Sequence, residues 1–365
     1  MTNQPPLPVI SDPSGTQSVE SLHNFCFDAF VHAKLSESDA AIGADVLCTT
    51  DCWGVFTHGI KGLRGYLRRL YAGGLNPRGR PNIVAEGGGW ATVDGDSSLG
   101  MVTSVFAMRA AIAKARETGI GYVGVRNSCH FGAAGYYAWL AAEAGFVGLS
   151  MANDIPSVSA PGSRGAITGS NPLAYAIPAG RHRPMILDMS IATVAGGKVA
   201  AAKERGEPIP LTWLIDADGR PTDDSGSYPA RSTLTPAAGH KGYGIGLFIE
   251  AMSGVLSGAA TTWQVGSWMT SDPRLPTHHG AAFLAIDCAA IAGGRDFGAH
   301  MEQLIDEIHC APTADGTDRI YVPGEIEWDK YDVAVRDGVS LPSDVIASMT
   351  EAADMAGLRF EAYFS

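Results

Sequence analysis

The sequence predicts a mixed fold of helices and strands, of the α/β or α+β class. Hydrophobic residues make up 45% of the 365 residues, which is enough for a large core and suggests two or three domains. Helical and strand-like segments follow one another irregularly, without the regular alternation that builds a parallel sheet. The 45 glycines are spread along the chain without a short period, so they indicate many tight turns.

The first half of the chain mixes helical and extended patterns. Residues 1–16 are polar and rich in proline, and predict an extended arm. Apolar residues at helical spacing, a cap at Ser36 and a stop at Gly73-Gly74 mark the first helices, and three glycines at 87–89 predict a hairpin. The predicted helices are 19–33, 36–48, 66–71, 99–117 and 131–144, and the predicted strands are 82–86, 90–94, 121–126 and 146–153.

The second half begins with a stretch, 154–171, that is typical of a loop. The predicted strands are 173–177, 185–188, 211–215 and 283–286, and the predicted helices are 194–204, 241–257, 297–308 and 342–355. The segment VPGE at 322–325 predicts a further loop. The chain shows no internal repeat and no block of low complexity, so we expect an ordinary globular enzyme or binding protein.

Composition argues against several classes of protein. The formal net charge of −12 disfavours a general nucleic-acid binder, because the phosphate backbone favours clustered Lys and Arg. The chain does not open on a signal peptide, and no uncharged apolar run is long enough to span a membrane. The six cysteines show no C-x-x-C spacing, which is typical of reduced thiols in a cytosolic protein. We therefore expect a cytoplasmic protein without nucleic-acid or membrane partners.

The stretch GIGYVG at 119–124 fits the G-x-G-x-x-G pattern of a dinucleotide-binding loop. A Rossmann loop needs a strand before its glycines and a helix after them. Here the predicted order is reversed, since helix 99–117 comes first and strand 121–126 follows. We interpret the match as a helix cap at Gly119 followed by a strand.

The next stretch, NSCHFGAAGYY at 127–137, indicates a ligand site. Asn127 and Ser128 are good helix caps, which predicts that His130 stands at or beside the first turn of an Ala-rich helix. A helix N-terminus attracts anions and disfavours a charged imidazole. A purely structural or capping role for His130 is the alternative.

A second candidate is the loop histidine His58, between Thr57 and Gly59. Such a side chain can reach a cleft, although many loop histidines are incidental. Asp188 ends an apolar strand, where an acid often faces a cleft, and a buried, paired acid is the alternative. An imidazole needs an orienting carboxylate to act as acid or base, so the two residues form a chemically sensible pair.

Two further histidine motifs complete the candidates. His240 and Lys241 stand at a glycine-rich helix start, where Lys241 is either a phosphate contact or a solvated side chain. His278 and His279 are adjacent in a polar loop. Adjacent histidines seldom bind one metal ion unaided, so we predict no metal site and rank a metal hydrolase last among the possible functions.

In order along the chain, the motifs THG, NSCHFGAAGYY, ITGSNPLAYAIP, ILDMS, GHKGYGIGLFIEAMSGVLSG, FLAID and VPGE resemble those of the malate/L-lactate dehydrogenase family of the non-Rossmann type. The resemblance covers roughly residues 18–360. It implies an oxidoreductase that uses NAD or NADP, a homodimer, and a cofactor domain with a predominantly antiparallel sheet. The division that we expect is an arm at 1–16, a helical substrate domain at 17–120, an NAD(P)-binding domain at 121–290 and a C-terminal helical segment at 291–365 that packs on the substrate domain.

The resemblance also implies roles for individual residues. His58 would exchange the proton during hydride transfer to or from a small 2-oxo or 2-hydroxy acid, with Thr57 and Asp188 fixing its tautomer; some members assign that role to the position of His130. The implied cofactor contacts are Ser128, His130, Phe131, Gly132, Asp188, Met189, Ser190, His240, Lys241, Pro323, Gly324 and Glu325. The implied substrate contacts are Lys61, Arg64, Tyr66 and Thr168.

Three positions depart from the family pattern. Gly62 stands where many members carry an Arg that clamps the substrate carboxylate, so either Lys61 or Arg64 replaces that Arg or the substrate differs. Cys129 replaces an Asn, and Ala281 replaces a His. Two alternatives to 2-oxo acid chemistry therefore stay open, namely reduction of a cyclic imine carboxylate and cofactor binding without catalysis.

Overall fold

A computed structural model of the chain describes residues 15–364. The fold is the mixed α/β class that the sequence predicts, and its sheets are mostly antiparallel, as the resemblance implies. Most of the predicted arm, residues 1–14, lies outside the described residues. Gln17 pairs with Val339 through an antiparallel bridge, which ties the start of the described chain to its C-terminal part. No helix among residues 15–364 combines the length and the apolar character that crossing a membrane requires.

The strands of the described chain are β1 (Asn82–Glu86), β2 (Trp90–Asp94), β3 (Ile120–Ser128), β4 (Phe146–Ala152), β5 (Val158–Ser159), β6 (Ala166–Thr168), β7 (Leu173–Ala179), β8 (His182–Met189), β9 (Leu214–Asp216), β10 (Pro221–Thr222), β11 (Ser232–Leu234) and β12 (His279–Asp287). The larger sheet has the order β1-β2-β3-β12-β4-β7-β8, in which only β2 and β3 are parallel. The smaller sheet has the order β10-β9-β11-β5-β6, in which only β11 and β5 are parallel.

The helices are α1 (Val19–His32), α2 (Glu37–Cys52), α3 (Leu63–Ala72), α4 (Gly100–Thr118), α5 (Ala134–Glu143), α6 (Gly196–Arg205), α7 (His240–Glu250), α8 (Cys288–Ala292), α9 (Phe297–His309), α10 (Glu325–Asp337) and α11 (Ser343–Ala356). Most of them lie within a few residues of their predicted positions. The sequence analysis misses α8 and α10, and the predicted loop 154–171 contains the short strands β5 and β6.

The main core lies between the larger sheet and a layer of helices. α4 packs on β3 and β12, and α5 packs on β4 and β7. Further out, α2 packs on α4, α1 packs on α2, and α11 packs on α1 and α3. The buried residues of α1 recur at spacings of three and four, which places one apolar stripe against this core: Leu22, Phe25, Cys26, Ala29 and Phe30.

Two strand glycines let helices lie close to the sheet. A Cβ at Gly121 in β3 would lie 2.1 Å from the carbonyl oxygen of Ala111 in α4, and one at Gly148 in β4 would lie 2.4 Å from that of Ala138 in α5. Any side chain at either position would push a helix off the sheet. Gly119 ends α4 with a φ of +86°, which glycine adopts without strain. The GIGYVG segment is therefore a helix cap and a packed strand, as the sequence analysis interprets it.

Candidate active site

A cavity of about 620 Å³ opens between the end of α2, the larger sheet and the start of α10. Its volume lies within the range of roughly 300–1,000 Å³ that is typical of small-molecule sites. Segments distant in sequence form most of its wall, namely 57–58, 129–134, 152–154, 186–190 and 321–324. The fold thus brings together several of the motifs that the sequence analysis singles out separately.

His58 lies in the loop between α2 and α3, and its Nδ1 is 2.9 Å from Oγ1 of Thr57. His58 is exposed within the cavity, and the surrounding protein partly removes its imidazole from bulk solvent. This burial lowers the pKa of His58 below its ordinary value, although the carboxylates of Asp188 and Asp154 act in the opposite direction. His58 is therefore neutral at neutral pH and placed to exchange a proton with a bound molecule.

Asp188 stands near the end of β8 and faces the same cavity. Its Oδ2 accepts a hydrogen bond of 2.7 Å from the N–H of Gly135, in the first turn of α5. A Cβ at Gly135 would lie only 3.1 Å from that oxygen, so glycine keeps the approach open. Burial raises the pKa of Asp188, while the Gly135 hydrogen bond and His58 lower it. The partial positive charge at the N-terminus of α5 thus stabilises the Asp188 carboxylate.

The predicted helix cap at Asn127 and Ser128 is wrong. These residues end β3, where Asn127 has a φ of +52°, and α5 begins only at Ala134. Asn and Ser suit a turn after a strand as well as a helix cap, because both side chains bond to nearby backbone and Asn tolerates a left-handed conformation. His130 consequently lies in the loop between β3 and α5 and outside the first helical turn.

His130 is held between aromatic side chains. The ring of Trp268 stacks on it with centroids 4.2 Å apart and planes 13° apart, and the hydroxyl of Tyr66 lies 2.7 Å from its Nδ1. The N–H of Gly132, which only donates, also points to Nδ1 at 3.4 Å. Nδ1 therefore accepts, and the neutral ring carries its proton on Nε2.

The pKa of His130 lies far below that of an ordinary histidine. Burial first, and the neighbouring His58 second, lower the pKa of His130 to about 3. At neutral pH the ring thus stays uncharged. Its Nε2–H is able to donate a hydrogen bond, but the ring has no second proton to give.

Two residues at this site, Asp154 and Trp268, are not predicted from the sequence, and neither is the contact of His279 with Asp154. Asp154 lies two residues beyond the end of β4 and lines the cavity. Like Asp188, it therefore stands near the end of a strand. His279 begins β12, and its Nε2 lies 3.1 Å from Oδ1 of Asp154. Trp268 lies in the long segment before β12 and carries no local signal of its contact with His130.

Several predicted contacts do not line the cavity wall: Ser128, His240, Lys241 and Glu325 of the cofactor set, and Lys61, Arg64, Tyr66 and Thr168 of the substrate set. Lys61 and Arg64 pair instead with carboxylates of α11, and Tyr66 reaches the site through His130. The space beside Gly62 is occupied as well, since a Cβ there would lie 3.6 Å from the Trp268 ring. The assignments of these residues to ligands stay predictions.

The remaining predicted residues share the cavity wall: Thr57, His58, His130, Phe131, Gly132, Asp188, Met189, Ser190, Pro323 and Gly324. Of the adjacent histidines, His278 is exposed, whereas the buried His279 contacts Thr277 and Asp154. The two imidazoles therefore do not share one site. Among residues 15–364, no group of three or more His, Cys, Asp or Glu side chains is arranged to hold a metal ion.

One side of the cavity forms an apolar cradle. Segments 131–134, 194–196 and 322–324 line it with a Phe ring and otherwise only Gly, Ala, Val and Pro. Gly324 has a φ of +95°, and a Cβ there would lie 2.9 Å from the backbone nitrogen of Ile186, so this loop packs backbone to backbone against β8. A flat heteroaromatic ring fits such a wall beside His58 and His130.

An apolar cradle beside two histidines, on a mostly antiparallel sheet, suits an oxidoreductase of the dehydrogenase type outside the Rossmann class. The chain belongs to the malate/L-lactate dehydrogenase family, whose family model matches residues 17–350. The motif resemblance is thus confirmed, and the protein is a dehydrogenase or reductase.

Individual relatives match the chain along almost its whole length. Malate dehydrogenase of Pyrococcus abyssi is 36% identical over 344 residues, which covers 92% of this chain and 94% of that protein. The structure of sulfolactate dehydrogenase from Methanocaldococcus jannaschii has a TM-score of 0.89 at 33% identity and covers 96% of this chain and 100% of that one. The structure of delta1-piperideine-2-carboxylate reductase from Pseudomonas syringae has a TM-score of 0.83 at 25% identity and covers 93% and 100%.

Proposed function

We propose that the enzyme transfers a hydride between the nicotinamide of NAD or NADP and the oxygen-bearing carbon of a small 2-oxo or 2-hydroxy acid. The observation that carries this proposal is the pairing of two different histidines. His58 is open to the cavity and exchanges a proton, whereas His130 stays neutral and donates a hydrogen bond. Their ring centroids are 5.7 Å apart. A substrate oxygen placed between them is both polarised and protonated.

The roles of the protein groups follow from their contacts. In reduction, charged His58 gives its proton to the substrate oxygen, and in oxidation neutral His58 takes it back. Thr57 holds Nδ1 of His58, so Nε2 is the nitrogen that exchanges the proton. The nearby carboxylate of Asp188 favours the charged imidazole at the moment when it forms. His130 donates from Nε2 to the same substrate oxygen and stabilises the negative charge that develops there.

The cofactor would lie along the apolar cradle. Six residues that line the cavity would hold it, namely Phe131, Gly132, Met189, Ser190, Pro323 and Gly324. When bound, the nicotinamide supplies or receives the hydride. Side chains and backbone groups of this chain bind the cofactor, polarise the substrate oxygen and exchange the proton.

Binding and turnover measured together test the proposal. Purified enzyme should bind NADH or NADPH with micromolar affinity or better in calorimetry, and should oxidise it with at least one member of a panel of 2-oxo acids. Ultraviolet absorbance of the reduced nicotinamide follows the reaction. Binding without turnover of any oxo acid or imine would favour the alternative of a cofactor-binding protein without catalysis. Failure to bind either nucleotide would refute the proposal.

A cyclic imine carboxylate is the second candidate substrate, because the delta1-piperideine-2-carboxylate reductase structure matches the whole fold. The same groups serve this reaction, since His58 then protonates the nitrogen of the C=N bond. Adding cyclic imines to the oxo-acid panel separates the candidates. Turnover of imines alone would replace the first proposal.

Tyr66 is a positioning residue for His130, and Tyr66→Phe tests that role. The variant removes the hydroxyl that lies 2.7 Å from Nδ1 and leaves the stacked rings in place. We expect kcat to fall about tenfold with little change in KM, because one buried hydrogen bond to the imidazole is lost. Tyr71→Phe, at an exposed position of the same helix, is the matched control. Equal kinetics for both variants would rule out the positioning role.

We further propose a homodimer that forms through α7 and the turns after it. Large apolar side chains there are exposed, with Leu247 at 43%, Phe248 at 52%, Val255 at 70%, Leu256 at 59% and Trp263 at 68%. An apolar patch of this kind marks an interaction surface.

A single charge placed in this patch tests the dimer. Wild-type enzyme should elute with twice the 38.1 kDa mass of the chain, and Phe248→Asp should elute as the monomer in light-scattering chromatography. Leu304→Asp, at an exposed apolar position of α9, should leave the dimer intact. A monomeric wild type would contradict the proposal.

We also assign the enzyme to the cytoplasm. The cysteines support this assignment, because all six are unpaired and five of them are buried. Unpaired thiols persist in a reducing compartment.

A further inference from the structure

The cavity contains a carboxylate that the proposed mechanism does not use. Asp154 lies between β4 and β5, and its Oδ1 accepts hydrogen bonds from the Ile155 N–H at 2.7 Å and from Nε2 of His279 at 3.1 Å. Among residues 15–364, none donates a hydrogen bond to its Oδ2. This second oxygen is therefore available to a molecule in the cavity.

The Asp154 carboxylate is held rigidly and in its charged form. Its backbone N–H donates to Oδ1 of Asn171 at 3.1 Å, and the His279 ring is itself fixed by Thr277 at 2.8 Å. Burial alone raises the pKa of Asp154, but the hydrogen bond and charge of His279 outweigh burial, and the pKa lies below its usual range. A rigid, ionised acceptor is thus built into the cavity wall.

Asp154 shares the cavity wall with His58 and His130. Burial is the main influence on the pKa values of the two imidazoles, and the negative charge of Asp154 acts on both in the opposite direction. A molecule bound against the two histidines therefore lies in the same cavity as the Asp154 carboxylate.

No Lys or Arg side chain balances the carboxylates of this cavity. Asp154, Asp188 and Glu327 line it, and no Lys or Arg does so within the described residues. Residues 1–14 contain neither Lys nor Arg. Lys61 and Arg64, the substrate contacts that the resemblance implies, pair with α11, and the fully buried Arg69 binds backbone carbonyls.

We propose that the substrate presents a hydrogen-bond donor (an amide, hydroxyl or ammonium group) to Asp154 beside its reacting carbon, and that the cavity rejects a second carboxylate at that place. A donor satisfies the free Oδ2, whereas an anion meets the like charge of Asp154 with no Lys or Arg to compensate it. This inference rests on the proposed function and narrows its substrates to acids with one carboxylate and a neighbouring donor.

Oxamate and oxalate test the inference, because they share one shape and differ only in an amide against a carboxylate. Each is titrated by calorimetry into the enzyme saturated with NADH. Oxamate should bind at least about tenfold more tightly than oxalate. Oxalate binding as tightly as oxamate, or more tightly, would overturn the inference.

Two variants assign the selectivity to Asp154. Asp154→Asn removes the charge at constant shape, so the ratio of oxamate to oxalate affinity should fall about tenfold. Asp218→Asn, at an exposed turn, should leave that ratio unchanged. His279→Gln loosens the hold on Asp154 and should lower the ratio as well, which provides a second measurement if Asp154→Asn folds poorly. An unchanged ratio in the folded variants would overturn the inference.

Failure of the inference differs visibly from failure of the proposed function. If the wild type binds no NADH, as followed by nicotinamide fluorescence, the proposed function fails and this inference fails with it. If NADH binds and oxalate is preferred, only the inference fails.

Discussion

His58→Asn is expected to lower kcat/KM by about 10²- to 10⁴-fold in both directions, while the affinity for NADH stays within about twofold of wild type. The variant removes the cavity-facing imidazole that we propose as the group exchanging the proton. His130 does not replace it, because its pKa of about 3 leaves the ring without a proton to give. Steady-state kinetics and calorimetry measure the two quantities separately.

The pH dependence of kcat/KM should have opposite directions for reduction and oxidation. Burial lowers the pKa of His58 below the ordinary value for histidine. Reduction needs the charged imidazole, so kcat/KM for reduction should fall as the pH rises through this lowered pKa. Oxidation needs the neutral imidazole, so its rate should hold at neutral pH and fall only on the acid side. His58→Asn should flatten both limbs.

His300→Asn is the control for this experiment, because His300 is exposed on α9 and far from the cavity wall. It should keep wild-type kinetics and both pH limbs. If His58→Asn retains more than about a tenth of wild-type activity, His58 is not the acid and base, and the proton must come from another group of the site.

Arg69→Met is expected to lower the free energy of unfolding by about 3–5 kcal/mol. The guanidinium of Arg69 is fully buried and donates to four backbone carbonyls of one loop, those of Ser267 at 2.7 Å, Trp268 at 2.6 Å, Leu275 at 2.9 Å and Ser271 at 3.5 Å. Methionine fills the volume but donates nothing, so these four acceptors lose their partner. Urea unfolding at equilibrium measures the loss.

Arg69→Met should also affect the active site. The loop that Arg69 holds carries Trp268, which stacks on His130. We expect Arg69→Met to lower kcat in parallel, since the stacked ring no longer fixes the imidazole. Arg68→Met is the matched control, because Arg68 is exposed on the same helix and donates to the carbonyl of Met269 alone. Equal stability of the two variants would show that Arg69 does not anchor the loop.

Local patterns predict most of the fold. Apolar residues at helical spacing locate α1, α4 and α11 within a few residues, and the three glycines at 87–89 locate the β1–β2 hairpin. α10 escapes this reasoning because its sequence is mostly charged and buries only Trp328 and Ala334. A helix with so narrow a buried face gives a weak periodic signal.

Some residues of the site are also predicted by local patterns, and others are not. His58, Thr57 and Asp188 follow from short motifs, since a loop histidine and a strand-end acid carry local signals. The partners of His130 do not, because Tyr66 and Trp268 come from positions 64 residues before it and more than 130 after it. The pairing of Asp154 with His279 spans 125 positions. Such contacts depend on how the sheet is assembled, which local periodicity does not encode.

The place of β12 in the larger sheet constrains how the chain can acquire its structure during synthesis. β12 lies between β3 and β4, so the β1-β2-β3 and β4-β7-β8 halves join only through a strand made more than 120 residues after β4. When about 270 residues have left the ribosome, β12 has not yet been made, and the edges of β3 and β4 that it will join are unpaired. Such edges invite pairing with other chains until the late strand fills the gap. Because β12 begins at His279, a residue of the cavity wall, the cavity is completed when β12 pairs with β3 and β4.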